Sequence, residues 1–491
     1  MPKTRTRKLR DTEHIALHWR RTKIIATLGP ASNTPEMIDK LLAAGVDLVR
    51  LNMSHGDHAG HRMMVERIRA AATRANRHIA ILMDLCGPKI RVGRFEGDGI
   101  DLRRGEKVIV TAAATIGRAG LIPSQYKTIA KDVTKGERIL LDDGKLELRV
   151  LKSNGKTVQC EVVQGGRLTN NKGMNLPDSN LSTTALTSKD KRDAELAIEL
   201  EVDFLALSFV RAAKDVQQLQ RFLTKHKADI PIISKIERPE AVERMDEIIE
   251  ASYGIMVARG DLGIELPAEQ VPLIQRELID RARQRAVPVI VATQMLESML
   301  SAARPTRAEV GDVANAALSS ADAVMLSGET ASGQFPVEAV QTMDKILREI
   351  ENHQWNTGQF VSASIQVRYQ KTHSVREAVG HAAVELARDL RLAALIIPTM
   401  TGTTARIMSA HRATAPMFGV TSRETICRRI ALHWGIVPLH VDDADTHDWK
   451  HLCERVAAQS AIAREGHKVL VIAGFSDDPK QNEPVMKILR L

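Results

Sequence analysis

From residue 22 the chain alternates short apolar runs with longer amphipathic segments. The runs are "TKIIATL" (22–28), "VDLVRLN" (46–52), "HIAILMDL" (78–85), "DFLALSF" (203–209), "IPIISKI" (230–236), "YGIMVAR" (253–259), "VPVIVATQ" (287–294) and "ADAVMLS" (321–327). Most are hydrophobic almost without a break, the pattern of strands buried on both faces. The segments between them carry helix start and stop signals. "SNTPEMIDKLLAAG" has a polar cap, Pro35 near the first helical position and Gly45 just past the end. "TSKDKRDAELAIEL" opens on Ser/Thr caps, and "TRAEVGDVANAALSS" predicts a helix with Val310, Val313, Ala314 and Ala317 on one face. Eight such units predict an α/β fold, a (β/α)8 TIM barrel. A doubly wound open sheet shares the alternation, but no glycine fingerprint of a dinucleotide-binding sheet is present, which favours closure.

The third unit is interrupted. Strand three ends near Leu85 and strand four begins near Asp203. Between them "EKVIVTA", "ERILLDDGKLELRVL" and "KTVQCEVVQGG" read as short strands with turns. A small β-domain is therefore inserted on a βα loop. Such loops form the working end of a barrel, so the insert is placed to act as a lid. After residue 355 a helix from about Ser374 is followed by "AALIIPT", "MFGVT", "VPLHV" and "KVLVIAG", a separate α/β domain. The predicted division is a basic extension (1–20), the barrel (21–88 and 178–354), the lid (89–177) and the C-terminal domain (355–491).

Composition narrows the class. The 491 residues are 44% hydrophobic and 26% charged, which fits a folded globular chain rather than bulk disorder. No apolar stretch approaches the ~20 residues of a membrane span, and residues 1–23 lack the apolar core of a signal peptide. Cys86, Cys160, Cys427 and Cys453 form no CxxC pair, which fits a reducing, cytoplasmic setting without disulfides or structural zinc. Residues 1–23 hold eight Lys/Arg and two Asp/Glu, a net +6 of the chain's +9. Such an arm could touch nucleic acid, but aromatics are only 3%, which gives little for bases to stack on. A solvated extension is the simpler reading.

The chemistry gathers at strand ends, which converge on one mouth in a barrel. Strand two supplies Arg50, Asn52, Ser54 and His55; strand three supplies Asp84, then Lys89 and Arg91. Strand five gives Lys235 and Glu237, and strand six Arg259, Gly260 and Asp261. Strand seven gives Thr293 and Gln294, and strand eight Ser327 and Glu329. A lone arginine there usually pairs with a carboxylate, and a lone lysine is usually solvated. Clustering at the same end of most strands is what the ordinary explanation leaves unaccounted for. Glu237 and Asp261 on neighbouring strands make a hard-cation site suited to Mg²⁺, and the cations beside them suit a phosphate. In "ARGDLGIELP", Gly260 permits close backbone approach, and the helix "LPAEQVPLIQREL" is expected to turn its N–H groups toward a substrate carboxylate. The stretch "NGKT" (154–157) has Val150 where a P-loop needs its first glycine, so a nucleotide would bind without one.

In order along the chain, "TKIIATLGPAS", "VRLNMSHG", "DLCGPKIR", "LLDDGKL", "NKGMNLP", "SKIE", "IMVARGDLGIE", "ATQMLESM", "RPTRAEVGDVANA" and "LSGETA" together resemble pyruvate kinase. The likeness covers the barrel and insert and extends more loosely into the C-terminal domain. That family moves the phosphoryl group of phosphoenolpyruvate to ADP, giving ATP and pyruvate. The resemblance implies Lys235 as the lysine that neutralises the phosphoryl and the enolate oxygen. It implies Glu237 and Asp261 as ligands of Mg²⁺, with Mn²⁺ as a substitute. The Gly260 and Asp261 N–H groups and the Thr293 hydroxyl would hold the carboxylate, and Arg50 the transferred phosphate. Asn52, Ser54, His55, Arg91 and Lys172 would contact the nucleotide, with Lys172 arriving on the lid. Thr293, Ser327 and Glu329 would lie on the proton-delivery route. A homotetramer is expected.

Many members of that family need K⁺, held near the positions of Asn52, Ser54, Asp84 and the carbonyl of Leu85. Those members typically carry threonine at the position of Leu85 and glutamate at that of Lys89. Leu85 and Lys89 resemble the K⁺-independent members instead, so the Lys89 ammonium is expected to replace the ion; a solvated hinge lysine is the plain alternative. Many members bind sugar-phosphate effectors at the loop matching "TMTGTTARIMS" (399–409), so residues 399–406 are a candidate effector site. Asp477 and Asp478 in "GFSDDPKQNEP" disfavour fructose 1,6-bisphosphate there. Asp142 and Asp143 read as a hairpin turn, or as lid residues that reach down. Two other functions fit less well. An enolpyruvate enzyme without ADP leaves the insert, Lys172 and Arg91 unexplained. An RNA-binding relative without activity leaves the filled catalytic positions unexplained.

Overall fold

The structure is a computed structural model that describes residues 20–357, 374–443, 448–460 and 466–491. The basic segment up to residue 19 lies outside the described residues. Eight strands form the barrel: β1 (Lys23–Thr27), β2 (Leu48–Asn52), β3 (Ala80–Asp84), β4 (Phe204–Leu207), β5 (Ile232–Ile236), β6 (Gly254–Ala258), β7 (Val289–Ala292) and β8 (Ala323–Leu326). They pair in parallel in sequence order, and β8 closes on β1. Ile25, Leu48, Leu82, Phe204, Ile233, Met256, Ile290 and Met325 fill the interior. Their neighbours Ile24, Val49, Ile81, Leu205, Ile255, Val291 and Val324 face the surrounding helices. Burial on both faces is why these strands read as unbroken apolar runs.

The helices around the barrel include α1 (Pro35–Ala44), α2 (His58–Arg74), α3 (Ser188–Glu199), α4 (Ala213–Lys225), α5 (Met245–Ala251), α6 (Arg259–Glu265), α7 (Val271–Gln284), α8 (Arg307–Leu318) and α9 (Pro336–Asn356). Thr34 caps α1 from the Met37 N–H, and Gly45 ends it at φ 114°, as its sequence predicts. In α8 the buried stripe is Val313, Ala316 and Ala317. Val310 is 37% exposed, because at 3.6 residues per turn it falls on the flank of that stripe.

The insert has its own core, including Val108, Val110, Ile139, Leu148, Val150, Cys160 and Val162. A six-stranded sheet, with Arg138–Leu141, Leu146–Ser153 and Thr157–Gln164 at its centre, carries most of it. The chain leaves the barrel through Gly87, whose φ of 64° suits glycine.

The C-terminal sheet holds β9 (Ala394–Pro398), β10 (Met417–Thr421), β11 (Ile436–His440), β12 (Lys468–Ala473) and β13 (Val485–Arg490), in the order β11-β10-β9-β12-β13. The antiparallel edge strand β13 goes beyond the four strands read from sequence. The domain docks under the barrel floor. Leu432 is buried among the barrel's interior side chains. Tyr253 Oη lies 2.9 Å from His433 Nε2, and Arg428 and Arg412 pair with Asp203 and Asp322 at 2.7 and 3.0 Å. All four cysteines are free, and no helix among the described residues is long and apolar enough to cross a membrane.

Candidate active site

Strand register brings the charged ends together. Asn52 lies opposite Asp84, and Asp84 opposite Ala206. From β2, Arg50 donates to Asp84 Oδ2 through Nε at 2.8 Å and Nη2 at 2.7 Å, and to Thr27 Oγ1 at 3.2 Å. Asp84 is almost wholly buried. Burial opposes its charge, but Lys235 and Arg50 overcome that and hold its carboxyl below the usual range.

Lys235 projects from β5. Its ammonium meets Glu237 Oε1 at 2.8 Å, Ser208 Oγ at 2.8 Å and Asp84 Oδ2 at 3.4 Å. Burial works against this charge too; Asp84 and Glu237 outweigh it and hold Lys235 above the ordinary lysine range. The other Glu237 oxygen accepts the Phe209 N–H at 2.9 Å. Burial pushes the Glu237 carboxyl up; Lys235 opposes the shift, and the negative charge of Asp261 adds to it. Two carboxylates that repel across a mouth, offering hard oxygen donors, fit a divalent cation. No cluster of three or more His, Cys, Asp or Glu suited to a metal occurs among the described residues. A divalent cation held by two carboxylates draws the rest of its shell from water and substrate.

The anion-facing backbone differs from expectation. Helix α6 starts at Arg259, directly after β6, so the Gly260 and Asp261 N–H groups belong to α6. The predicted helix "LPAEQVPLIQREL" is α7, which begins only at Val271, after Pro267 has broken the chain and a 3₁₀ turn over Ala268–Gln270. The Gly260 N–H donates to Thr293 Oγ1 at 2.7 Å. Thr293 and Gln294 both have left-handed backbones, at φ 68° and 53°. For a β-branched residue that is strained, a condition that clusters at functional sites. The side-chain oxygens of Glu329 accept the Ser327 and Leu296 N–H groups at 2.8 and 3.0 Å, and burial raises its pKa. Ser327 Oγ is buried without a hydrogen-bond partner among the described residues.

Asn52 Oδ1 accepts the Ser54 N–H at 3.1 Å, and His55 is exposed beside them. On the insert, Lys172 Nζ pairs with Asp142 at 2.7 Å, and Arg91 donates to the Asn171 carbonyl at 2.9 Å. The stretch Asp142–Asp143–Gly144 is a hairpin turn with positive φ throughout, and Asp143 also lines the cleft between insert and barrel. Lys89 lines the same cleft, exposed, and its side chain has no polar partner among the described residues. The Leu85 carbonyl accepts Ser208 Oγ–H at 2.8 Å. In the C-terminal domain, Asp477 accepts from Arg376 at 2.9 Å, from Arg406 at 2.8 and 2.9 Å, and from Thr403 Oγ1 at 3.2 Å.

Sequence reasoning took nothing from strand four. Yet Ser208 and Phe209, at the end of β4, grip Lys235 and Glu237. It also passed over Arg238, which donates to the Leu176 and Ser179 carbonyls of the returning crossover and pairs with Glu265. The available signal was position alone: "LSF" ends a barrel strand as "SKIE" does.

Residues 19–340 match the family described as pyruvate kinase, barrel domain, and residues 377–489 match pyruvate kinase, alpha/beta domain. The chain is 43% identical to a pyruvate kinase of Mycobacterium intracellulare over 459 residues, which cover 93% of this chain and 95% of that one. It is 42% identical to pyruvate kinase 2 of Synechocystis over 93% of this chain and 76% of the relative. For a pyruvate kinase of Geobacillus stearothermophilus the identity is 40% over 96% and 80%. A crystal structure of a pyruvate kinase from Cryptosporidium parvum superposes with a TM-score of 0.88 at 34% identity, covering 97% of each chain.

Proposed function

The chain belongs to the pyruvate kinase family, and is thus an enzyme that transfers a phosphoryl group; from that premise we propose how its residues divide the work. The observation that carries the reading is the Lys235 ammonium, fixed at the mouth between Glu237, Ser208 and Asp84. Phosphoryl transfer asks mainly for in-line positioning and neutralised charge. Lys235 neutralises the phosphoryl group leaving phosphoenolpyruvate and the enolate oxygen it uncovers. Arg50 binds the transferred phosphate. The Gly260 and Asp261 N–H groups and the Thr293 hydroxyl hold the substrate carboxylate, which takes over the bond Gly260 now makes to Thr293.

Glu237 and Asp261 hold the divalent cation the family requires, Mg²⁺ with Mn²⁺ as a substitute, which supplies further charge neutralisation at these oxygens when bound. Asn52, Ser54, His55 and Arg91 contact ADP. Lys172 joins them by exchanging Asp142 for phosphate oxygens as the insert closes and excludes water. Thr293, Ser327 and Glu329 serve the proton delivered to the enolate carbon; the unpartnered Ser327 hydroxyl supports this. Lys89 replaces K⁺, a role that rests on the resemblance at Leu85 and Lys89; here the Asp84 carboxylate pairs with Arg50 and Lys235, and Lys89 lines the neighbouring cleft. A cytoplasmic homotetramer with these domain limits completes the proposal, as does an effector loop at 399–406.

The deciding experiment is ADP-dependent pyruvate formation from phosphoenolpyruvate, with Lys235→Met beside the wild type. Wild-type turnover and its loss in a folded Lys235→Met are expected. Near-normal turnover in that variant refutes the assignment.

A further inference from the structure

An ammonium has three protons to place. For Lys235 the three acceptors are Glu237 Oε1 and Ser208 Oγ, both at 2.8 Å, and Asp84 Oδ2 at 3.4 Å. They are not equivalent. Asp84 is the distant one, and the same oxygen already takes two N–H bonds from Arg50.

Ser208 has one proton, and it is committed. Its hydroxyl donates to the Leu85 carbonyl at 2.8 Å, while the approach to Asp84 Oδ1 is long, at 3.5 Å. What Ser208 offers Lys235 is therefore a lone pair, in a direction fixed by the bond to Leu85. Ser208 is buried, at 2% exposure, so its hydroxyl is shielded from competing water. The next residue closes the grip from the other side. The Phe209 N–H holds the second oxygen of Glu237 at 2.9 Å, from a left-handed backbone at φ 55°. Ser208 and Phe209 thus hold both ends of the Lys235–Glu237 pair.

The same dipeptide seats the crossing into the insert. A Cβ at Gly87 would lie 2.8 Å from the Phe209 ring and 3.1 Å from Ser208 Cβ. The Gly87 N–H is held by the buried Asp190 at 3.0 Å. The turn at 85–88 and the end of β4 are one packed joint.

Resting on the role given to Lys235 above, we propose that Ser208 is a positioning residue. With Glu237 it holds two of the three ammonium protons, and the third exchanges between Asp84 and an oxygen of the phosphoryl group or enolate. Ser208 touches no reacting atom. It sets the direction in which Lys235 donates and ties that direction to the insert's crossover.

The test is steady-state kinetics on Ser208→Ala, Ser208→Cys and Ser208→Thr, each with its thermal midpoint. Alanine and cysteine are expected to lower kcat by about tenfold or more, with KM for phosphoenolpyruvate within about twofold, and threonine, which keeps the hydroxyl, to recover most of kcat. Should alanine fail to fold, cysteine, which keeps serine's branching but donates and accepts only weakly, carries the same expectation. Wild-type kcat in Ser208→Ala overturns the proposal, and so does a threonine variant as slow as alanine. Either result leaves the Lys235 assignment intact, since that stands or falls with Lys235→Met.

Discussion

Arg259 donates to the Thr293 carbonyl through Nη2 at 3.0 Å, and the same nitrogen reaches the Gln294 carbonyl at 2.8 Å. One guanidinium therefore clamps two consecutive left-handed residues, and the first carries the hydroxyl proposed to meet the substrate carboxylate. Strain of this kind costs about 1–3 kcal/mol per residue and persists only where surroundings enforce it. Arg259→Lys keeps the charge and loses the fork. The expected result is a KM for phosphoenolpyruvate raised about tenfold, with a smaller change in KM for ADP. Initial-rate kinetics with each substrate varied in turn check this. Equal effects on both would remove the link to Thr293.

Lys89 predicts the response to monovalent cations. With tetramethylammonium as the sole monovalent cation, turnover is expected to stay within a few-fold of that in K⁺. A rise of about 100-fold on adding K⁺, the scale of one lost ~2.7 kcal/mol interaction, would refute the substitution.

His433 predicts an acid-sensitive domain junction. Burial, then the neighbouring charges of Arg406, Lys23 and Arg412, push its pKa down to about 3. In the unfolded chain it titrates near ~6.5. Between those values the unfolded chain binds the extra proton, so this contribution to stability is complete above pH ~6.5 and falls as the pH drops toward the folded value. The slope is about 1.4 kcal/mol per pH unit, or about 2 kcal/mol between pH 6.5 and 5. Denaturant unfolding of His433→Gln at pH 7 and pH 5 is expected to lack that part of the loss, while the new amide can still bond Tyr253.

Asp477 predicts indifference to a bisphosphate effector. Arg376, Arg406 and Thr403, the groups an anion would seek beside the 399–406 loop, already serve this carboxylate. Fructose 1,6-bisphosphate at millimolar concentration is expected to change the rate at subsaturating phosphoenolpyruvate by less than about twofold. A larger activation would show that the ligand displaces Asp477.

The parts legible in the sequence are those with a repeating physical signature. The barrel strands announced themselves because both faces are buried, and α1 because its Pro35 and Gly45 mark its ends. The charged strand ends, Arg50, Asp84, Lys235 and Glu237, were legible because carboxylates and cations at one end of many strands have few structural uses. Ser208 was not, since a serine after "FLAL" is ordinary until its lysine is placed beside it. The start of α6 was misjudged because "RGDLGIE" is too short to show a helical period. Edge strand β13 was overlooked for a similar reason: "VMKILR" lies largely exposed and lacks the apolar run of a buried strand.

Leu432 plugs the floor of the barrel from another domain. The division between barrel and C-terminal domain is therefore one of topology, and the hydrophobic interior crosses it. Cutting the gene there would remove a buried member of the barrel's own interior cluster, which includes Phe204, Ile233 and Met256. A lineage that sheds its C-terminal domain must first find another stopper, so recombination should treat the two halves as a single heritable unit.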